Sequence, residues 1–253
     1  KPEAVADIDA ILEATDGAMV ARGDLGVEVP MESVPIIQKM IVRKCIELAK
    51  PVIVATQMME TMIDSLTPTR AEVNDVANAV MDGADAVMLS GETSVGIYPV
   101  QVVQTMARIA ETAERGCSFR GKEHKPLEHV AERFISDTVC YYAAKMANSV
   151  EASAICTLTF SGHSAQLISS FRPQSHIYAF TANYKILNKL SLHWGVRGFY
   201  YDSMESTDAT FVDITNQLKA DGLVQAGDRI IQLASMPIEA KGTTNTIRVK
   251  DVG

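Results

Sequence analysis

The sequence predicts an α/β protein in two parts: three strand–helix units, then an α/β domain on a mostly parallel five-stranded sheet. Three observations predict it. Short apolar runs at Ala18 to Ala21, Val52 to Ala55 and Ala86 to Leu89 start 34 residues apart. Helical periodicity fills the intervals between them. A second series of five strand candidates follows residues 116–127, where the composition shifts to Gly, Lys, His and Pro and reads as a linker.

Each element has a local reason. Val34, Ile37, Ile41, Cys45 and Leu48 step by three and four residues, which is one face of a helix. Thr69 and Glu72 have the spacing of a capping box, with Val73, Val76, Ala77 and Val80 following on one side. Pro99 stands where a first helical turn begins, ahead of Val102, Met106, Ile109 and Ala113. The apolar runs suit parallel strands covered on both faces. Beyond the linker, Ala131, Ile135, Val139, Tyr142 and Met146 mark another helix. The later strand candidates are Ala154 to Leu158, Ile177 to Phe180, Gly198 to Tyr201, Arg229 to Leu233 and Thr246 to Val249. Helical segments separate the first four, and a short loop joins the last two, so the final strand is expected to be antiparallel.

Composition narrows the function. The 253 residues are 47% hydrophobic and 21% charged, a globular balance with enough chain for one or two domains. A formal charge of −8 argues against a nucleic-acid or anionic-membrane surface, which needs clustered Lys and Arg. No stretch reaches the roughly eighteen apolar residues of a membrane span. The four cysteines show no CxxC pairing, which points to a reduced, cytoplasmic setting. The chain opens on Lys1 rather than Met and is expected to continue a longer one.

Parallel strands place their C-terminal ends on one rim, so the polar sets that follow the first three runs should converge. These sets are Arg22-Gly23-Asp24, Thr56-Gln57 and Ser90-Gly91-Glu92-Thr93. The first reads as a flexible two-glycine turn ending at Gly26, whose amides can approach an anion. An adhesion reading of Arg-Gly-Asp needs an exposed loop in a secreted protein. Asp24 suits Mg²⁺, which takes one or two protein carboxylates and fills its shell with phosphate oxygens and water. Thr56 can donate a hydroxyl to the same bound anion. Arg22 either pairs with a phosphate or carboxylate or braces the turn or a subunit contact. The five histidines lack metal-ligand spacing, and no P-loop or GxGxxG signature is present. In the second part, "TLTFSGHSAQL" ends a strand, turns at Ser161-Gly162 and opens a helix near Ser164. That is either an anion pocket of hydroxyls and helix amides or helix capping by Ser161 or Ser164.

The stretches "DGAMVARGDLGVEVP", "KPVIVATQMMETMI", "TPTRAEVNDVANAVMDGADAVMLSGET" and "GTTNTIRV" occur in order along nearly the whole chain. Together they closely resemble the pyruvate kinase family. The resemblance implies a partial (β/α)₈ TIM barrel over residues 1–115, made of its three C-terminal β/α units, and a C-terminal α/β regulatory domain over residues 128–253. It implies transfer of phosphate from phosphoenolpyruvate to ADP, giving pyruvate and ATP, with Mg²⁺ or Mn²⁺ and K⁺. A cytoplasmic homotetramer with a phosphorylated allosteric effector is implied too.

By position, the resemblance makes Asp24 a metal carboxylate and the amides of Gly23 and Asp24 donors to the substrate carboxylate. Thr56 contacts that carboxylate near the proton delivered to the enolate, and Ser90 belongs to the supporting hydrogen-bond network. Arg22 joins the catalytic rim, and Arg70 falls near a subunit contact. Thr159, Ser161, Gly162, His163 and Ser164 match the effector-phosphate loop.

The departures matter. The family's Lys-Ile-Glu motif, which supplies the transfer-stabilising lysine and the first metal ligand, falls before Lys1. So do five barrel units, the lid domain and the usual K⁺ and ADP-phosphate ligands. Val95 stands where many members carry a lysine near ADP, and "ASMPIEAKGTTN" lacks the Trp and Arg of members activated by fructose bisphosphate. The 253 residues alone are therefore expected to be inactive and, with an open barrel, to self-associate. The alternative is a stand-alone, non-catalytic module that binds a phosphate ligand.

Overall fold

The computed structural model describes residues 1–116, 133–203, 205–238 and 243–253. The chain divides into two compact units, Lys1–Lys122 and Glu123–Gly253. Of the linker expected at 116–127, only Gly116 is among the described residues, where it closes a helix.

The first unit runs α1 (Pro2–Ala6), α2 (Ile8–Ala14), β1 (Ala18–Ala21), α3 (Arg22–Glu28), α4 (Val34–Glu47), β2 (Val52–Ala55), α5 (Arg70–Asp82), β3 (Ala86–Val87), α6 (Gly91–Ser94) and α7 (Pro99–Gly116). Its three strands are parallel in the order β1-β2-β3, with Ala18 opposite Val52 and Ile53 opposite Ala86. The strand predicted through Leu89 stops at Val87, although the Met88 amide still donates to the Val54 carbonyl. The core gathers Leu12, Val20, Val42, Val54, Met62, Val76 and Val102.

The capping box of α5 forms as the spacing predicts. Thr69 Oγ1 accepts from the Glu72 amide while the Glu72 carboxylate accepts from the Thr69 amide. Two helical faces are rotated from the predicted ones. In α4 the buried residues are Val34, Gln38, Val42 and Cys45, so Ile37 and Ile41 only flank the seam and Leu48 lies beyond the helix. In α5, Ala79 joins Val76 and Val80 against the core while Val73 is exposed.

The larger correction concerns the two-glycine turn: Arg22–Glu28 is a short helix, and neither Gly23 nor Gly26 has a positive φ. Two tertiary ties anchor its first turn, the Arg22 side chain and the Gly23 amide, both bonded to the loop after β2. They offset the low helix propensity of glycine.

The second unit runs α8 (Phe134–Ser149), β4 (Ala154–Leu158), α9 (His163–Ser170), β5 (His176–Thr181), α10 (Tyr184–Leu190), β6 (Val196–Tyr200), α11 (Thr207–Ala220), β7 (Arg229–Ala234) and β8 (Thr246–Asp251). The sheet order is β6-β5-β4-β7-β8, parallel throughout except for antiparallel β8. Every residue of central β4 is buried, as a strand covered on both faces requires. In α8 the predicted face is again displaced. Cys140, Ala143, Ala144 and Ala147 turn inward, while Ile135 and Tyr142 are exposed and Ala131 lies outside the described residues. Small side chains let a helix sit close to a sheet.

Candidate functional site

The C-terminal ends of β1, β2 and β3 bring their polar sets together within the first unit. Arg22 starts α3 directly after β1, and its guanidinium crosses to the turn after β2. Nη2 donates to the Thr56 carbonyl at 2.7 Å and Nε to the Ala55 carbonyl at 3.3 Å. Nη1 pairs with Asp75 of α5 at 2.6 Å. Of the readings left open for Arg22, this geometry supports the brace: each of its three nitrogens is engaged inside the unit.

The turn it braces is strained. Thr56 and Gln57 have φ of +68° and +53°, a left-handed conformation that β-branched residues rarely adopt. Such strain persists where the surroundings over-determine it and clusters at functional sites. Thr56 Oγ1 accepts the Gly23 amide at 2.8 Å and donates to the Ala55 carbonyl at 2.7 Å. Asp24, one residue on, is exposed at the same rim.

The third set is tied in through a residue that sequence reasoning left without a role. Glu92 is buried, with Oε1 accepting the Met59 amide at 3.3 Å and Oε2 the Ser90 amide at 2.8 Å. It therefore joins the loops after β2 and β3. Ser90 itself is exposed at the start of α6, and Arg70 is exposed at the start of α5. Among the described residues, no group of three or more His, Cys, Asp or Glu could hold a metal ion alone. A divalent cation at this rim would meet one carboxylate of this chain, that of Asp24. Such a contribution fits Mg²⁺, whose other positions go to phosphate oxygens and water.

The second unit carries a cleft of about 640 Å³, part of it open to solvent. Its walls are Leu158, Phe160 and Ile238, with a polar row from Ser136, Thr159, Ser161, His163, Ser164, Ser235 and Thr244. The loop after β4 is built by its own hydrogen bonds. Thr159 Oγ1 accepts the Gly162 amide at 2.9 Å, and Gly162 takes φ = +88°. A Cβ there would lie 3.1 Å from Ile186 Cγ2, so conformation and space both favour glycine.

Neither serine caps α9 in the expected way. Ser164 Oγ pairs with Thr157 Oγ1 at 2.9 Å, and Ser161 Oγ accepts the His163 amide only at 3.5 Å. His163 Nε2 meets Asp137 Oδ1 of α8 at 2.8 Å. Five residues singled out in the sequence, Thr159 to Ser164 without Phe160, thus lie on one wall or its supporting turn. Ser136 of α8 and Thr244, just before β8, which only the fold brings there, also line the cleft and are more than nine-tenths buried.

Residues 1–103 match the family model for the pyruvate kinase barrel domain, and residues 137–250 match that for the pyruvate kinase alpha/beta domain. The chain belongs to the pyruvate kinase family. Over 99% of its length it is 44% identical to the pyruvate kinase of Clostridium acetobutylicum, covering 53% of that protein. It is 46% identical to the pyruvate kinase of Bacillus licheniformis over 99% of its length, covering 43% of that protein. A crystal structure of a pyruvate kinase from Cryptosporidium parvum superposes on the whole chain with a TM-score of 0.90 at 35% identity, over 50% of that protein's chain. The chain spans about half the length of the relatives it matches. Its three-stranded parallel sheet is thus part of a pyruvate kinase barrel, and its five-stranded sheet is the family's C-terminal domain. No helix among the described residues is long and apolar enough to cross a membrane.

Proposed function

We propose that the protein containing this chain transfers the phosphoryl group of phosphoenolpyruvate to ADP in glycolysis, giving pyruvate and ATP. The observation that carries this reading is the cross-linked rim. Gly23, Asp24 and Thr56 come together at the C-terminal ends of β1 and β2, in a chain whose family is pyruvate kinase.

Each residue has a part in that reading. The amides of Gly23 and Asp24 and the hydroxyl of Thr56 bind the substrate carboxylate. Thr56 also stands beside the carbon to which the enolate's proton is delivered. Asp24 holds Mg²⁺ or Mn²⁺, which supplies charge neutralisation for phosphoryl transfer when bound. Ser90 supports the network through the loop that Glu92 ties to the β2 turn. No residue of this chain is assigned to K⁺, and Arg70 is assigned to a subunit contact of a homotetramer. The three described cysteines are buried and unpaired, which supports a cytoplasmic setting.

Residues 1–115 then form the C-terminal part of the catalytic barrel, and residues 128–253 the regulatory domain. The cleft beside Thr159, Ser161, Gly162, His163 and Ser164 receives the phosphate of an allosteric effector. Titration calorimetry of the 253-residue chain with AMP and sugar phosphates should give heat that Ser161→Ala removes. No heat with any phosphate ligand would leave the loop a structural turn.

Catalysis by these 253 residues alone is not expected. Phosphoryl transfer rests on positioning and charge neutralisation, and the chain brings one metal carboxylate without the family's lysine. Assay of the pure chain should give no ADP-dependent pyruvate. In the full protein, Asp24→Asn should lower kcat by about 100-fold or more, the scale on which single charge-stabilising groups act. Pyruvate formation by the pure chain would overturn the first expectation, and an undiminished kcat in Asp24→Asn the second. The second reading, a non-catalytic phosphate-binding module, is favoured if only the cleft binds ligand and the full protein lacks activity.

A further inference from the structure

The strained turn after β2 is held from outside itself. Thr56 and Gln57 sit at successive positive φ values, a costly shape for a β-branched residue that the single bond from Thr56 Oγ1 to the Ala55 carbonyl does not by itself account for. The bonds that reach its carbonyls from a distant side chain come from the guanidinium of Arg22: Nη2 to the Thr56 carbonyl at 2.7 Å and Nε to the Ala55 carbonyl at 3.3 Å. The same Nη2 lies 2.9 Å from Met58 Sδ, so the guanidinium spans the turn from Ala55 to Met58. Its remaining contact is Asp75 on α5, at 2.6 Å. The Arg22 side chain is 12% exposed and that of Asp75 33%. The pair is thus partly withdrawn from water, where a charge-assisted bond orients both groups.

The geometry points to Arg22 and Asp75 as positioning residues for Thr56. Asp75 fixes the plane of the guanidinium, the guanidinium fixes two successive carbonyls, and those carbonyls set the left-handed turn that aims Thr56 Oγ1 at the Gly23 amide. Neither residue needs to touch a ligand to do this. The functional consequence rests on the reading that Thr56 meets the substrate carboxylate; the structural claim does not. Lysine cannot replace Arg22 here, because an ammonium lacks the planar fork that reaches two carbonyls and a carboxylate together.

The test uses the labelled 253-residue chain and compares Arg22→Met, Arg22→Lys and Asp75→Asn with Thr56→Ala. The Gly23 amide resonance reports its bond to Thr56, and the backbone carbon shifts of Thr56 and Gln57 report their left-handed conformation. Expected is a Gly23 amide that moves in Arg22→Met and Arg22→Lys to the shift it has in Thr56→Ala, with Asp75→Asn part-way. Resonances of the second unit should stay in place. Unchanged Gly23, Thr56 and Gln57 shifts in a folded Arg22→Met, or in Asp75→Asn should Arg22→Met not fold, overturn the proposal. In the full protein, Asp75→Asn should lower kcat about tenfold or more with KM for ADP little changed, since small misplacements of a reacting group act on this scale. If the shifts move but neither Asp75→Asn nor Thr56→Ala alters kcat, the positioning stands and the catalytic reading of Thr56 fails.

Discussion

The backbone amide of Gly23, at the end of β1, donates to Thr56 Oγ1, at the end of β2, over 2.8 Å. That bond spans two adjacent parallel strands and occupies the groups that the proposed function assigns to a substrate carboxylate. A carboxylate arriving there replaces one acceptor by another rather than filling an unprepared gap. The amide now points at the hydroxyl oxygen and the hydroxyl donates to the Ala55 carbonyl, so both would redirect their hydrogens to an incoming anion.

The bond also has a measurable worth without ligand. Thr56→Val keeps the shape but removes the acceptor of the Gly23 amide and the donor to the Ala55 carbonyl. A net loss of about 1 kcal/mol of stability is expected for such a hydrogen bond, read as a lower urea midpoint. Thr56→Ser should hold most of the wild-type value, and an equal loss in both variants would remove the hydroxyl from the explanation.

Gln57 isolates the strain from the hydrogen bonding. It is exposed with φ = +53°. A left-handed residue with a Cβ costs about 1–2 kcal/mol, and glycine gives back part of that gain in chain entropy. Gln57→Gly should therefore stabilise the chain by about 0.5–1 kcal/mol. A destabilised Gln57→Gly in thermal unfolding would show that the turn is not strained at this position.

The Thr69–Glu72 capping box sets a pH dependence. Burial raises the Glu72 carboxyl, but hydrogen bonds from Thr61 and Thr69 outweigh it and hold the group below its ordinary value of 4.5. A carboxyl held lower in the folded state than in the unfolded one stabilises above the unfolded value. That contribution is lost as pH falls through the lowered folded value. Glu72→Gln should cost stability at pH 7 and progressively less as the pH drops below about 4. Thr69→Ala should cost about 1 kcal/mol at neutral pH, as cap removals do. Urea titrations of both variants across this range check the sign; a Glu72→Gln penalty that grows with acid contradicts it.

The three buried thiols make a chemical counterpart. Burial pushes Cys45 up to about 12, aided by the nearby Asp85 charge, and Cys156 also up to about 12. Cys140 is raised further, by burial and then by Asp137. The thiolate is the reactive species, so iodoacetamide at pH 8 should leave all three unmodified in the folded chain and label them in urea. Mass mapping of the peptides distinguishes them from Cys117. Rapid native labelling of Cys45, Cys140 or Cys156 would mean that its unit opens readily.

What the sequence made legible follows a physical division. β1 and β2 have the boundaries of their apolar runs: β2 is covered along its length and writes its burial into consecutive residues, while β1 is apolar throughout although only Val20 is fully buried. The α5 capping box is equally local, three residues from end to end. The helix Arg22–Glu28 was not legible, because the bonds that close its first turn come from a loop over thirty residues away. The rotated face of α8 escaped for a different reason: alanines and a cysteine carry weak hydrophobic signals, yet they are what fits against the sheet, while Ile135 and Tyr142 dominate the pattern and stay outside. At the rim, Asp24 and Thr56 could be named from spacing. Asp75 and Glu92 needed the fold, since Asp75 pairs with Arg22 and Glu92 accepts the Met59 amide, partners far away in sequence.

The first unit's sheet leads to a last prediction. Its strand order leaves β1 and β3 as edges among the described residues, and a sheet edge presents unpaired backbone donors and acceptors to any other chain. Met19 on β1 is 53% exposed although its neighbour Val20 is buried, and Val27 and Met31 beyond it are 87% and 72% exposed. An exposed apolar side chain thus stands on an edge strand, and the same unit exposes further apolar surface, a combination that favours association. The isolated 253-residue chain should run above its monomer mass in light scattering and bind a hydrophobic dye. Met19→Lys, which places a charge on the exposed face of the edge strand, should lower both signals. A monodisperse monomer without dye binding would show that the open edge is covered from within the chain.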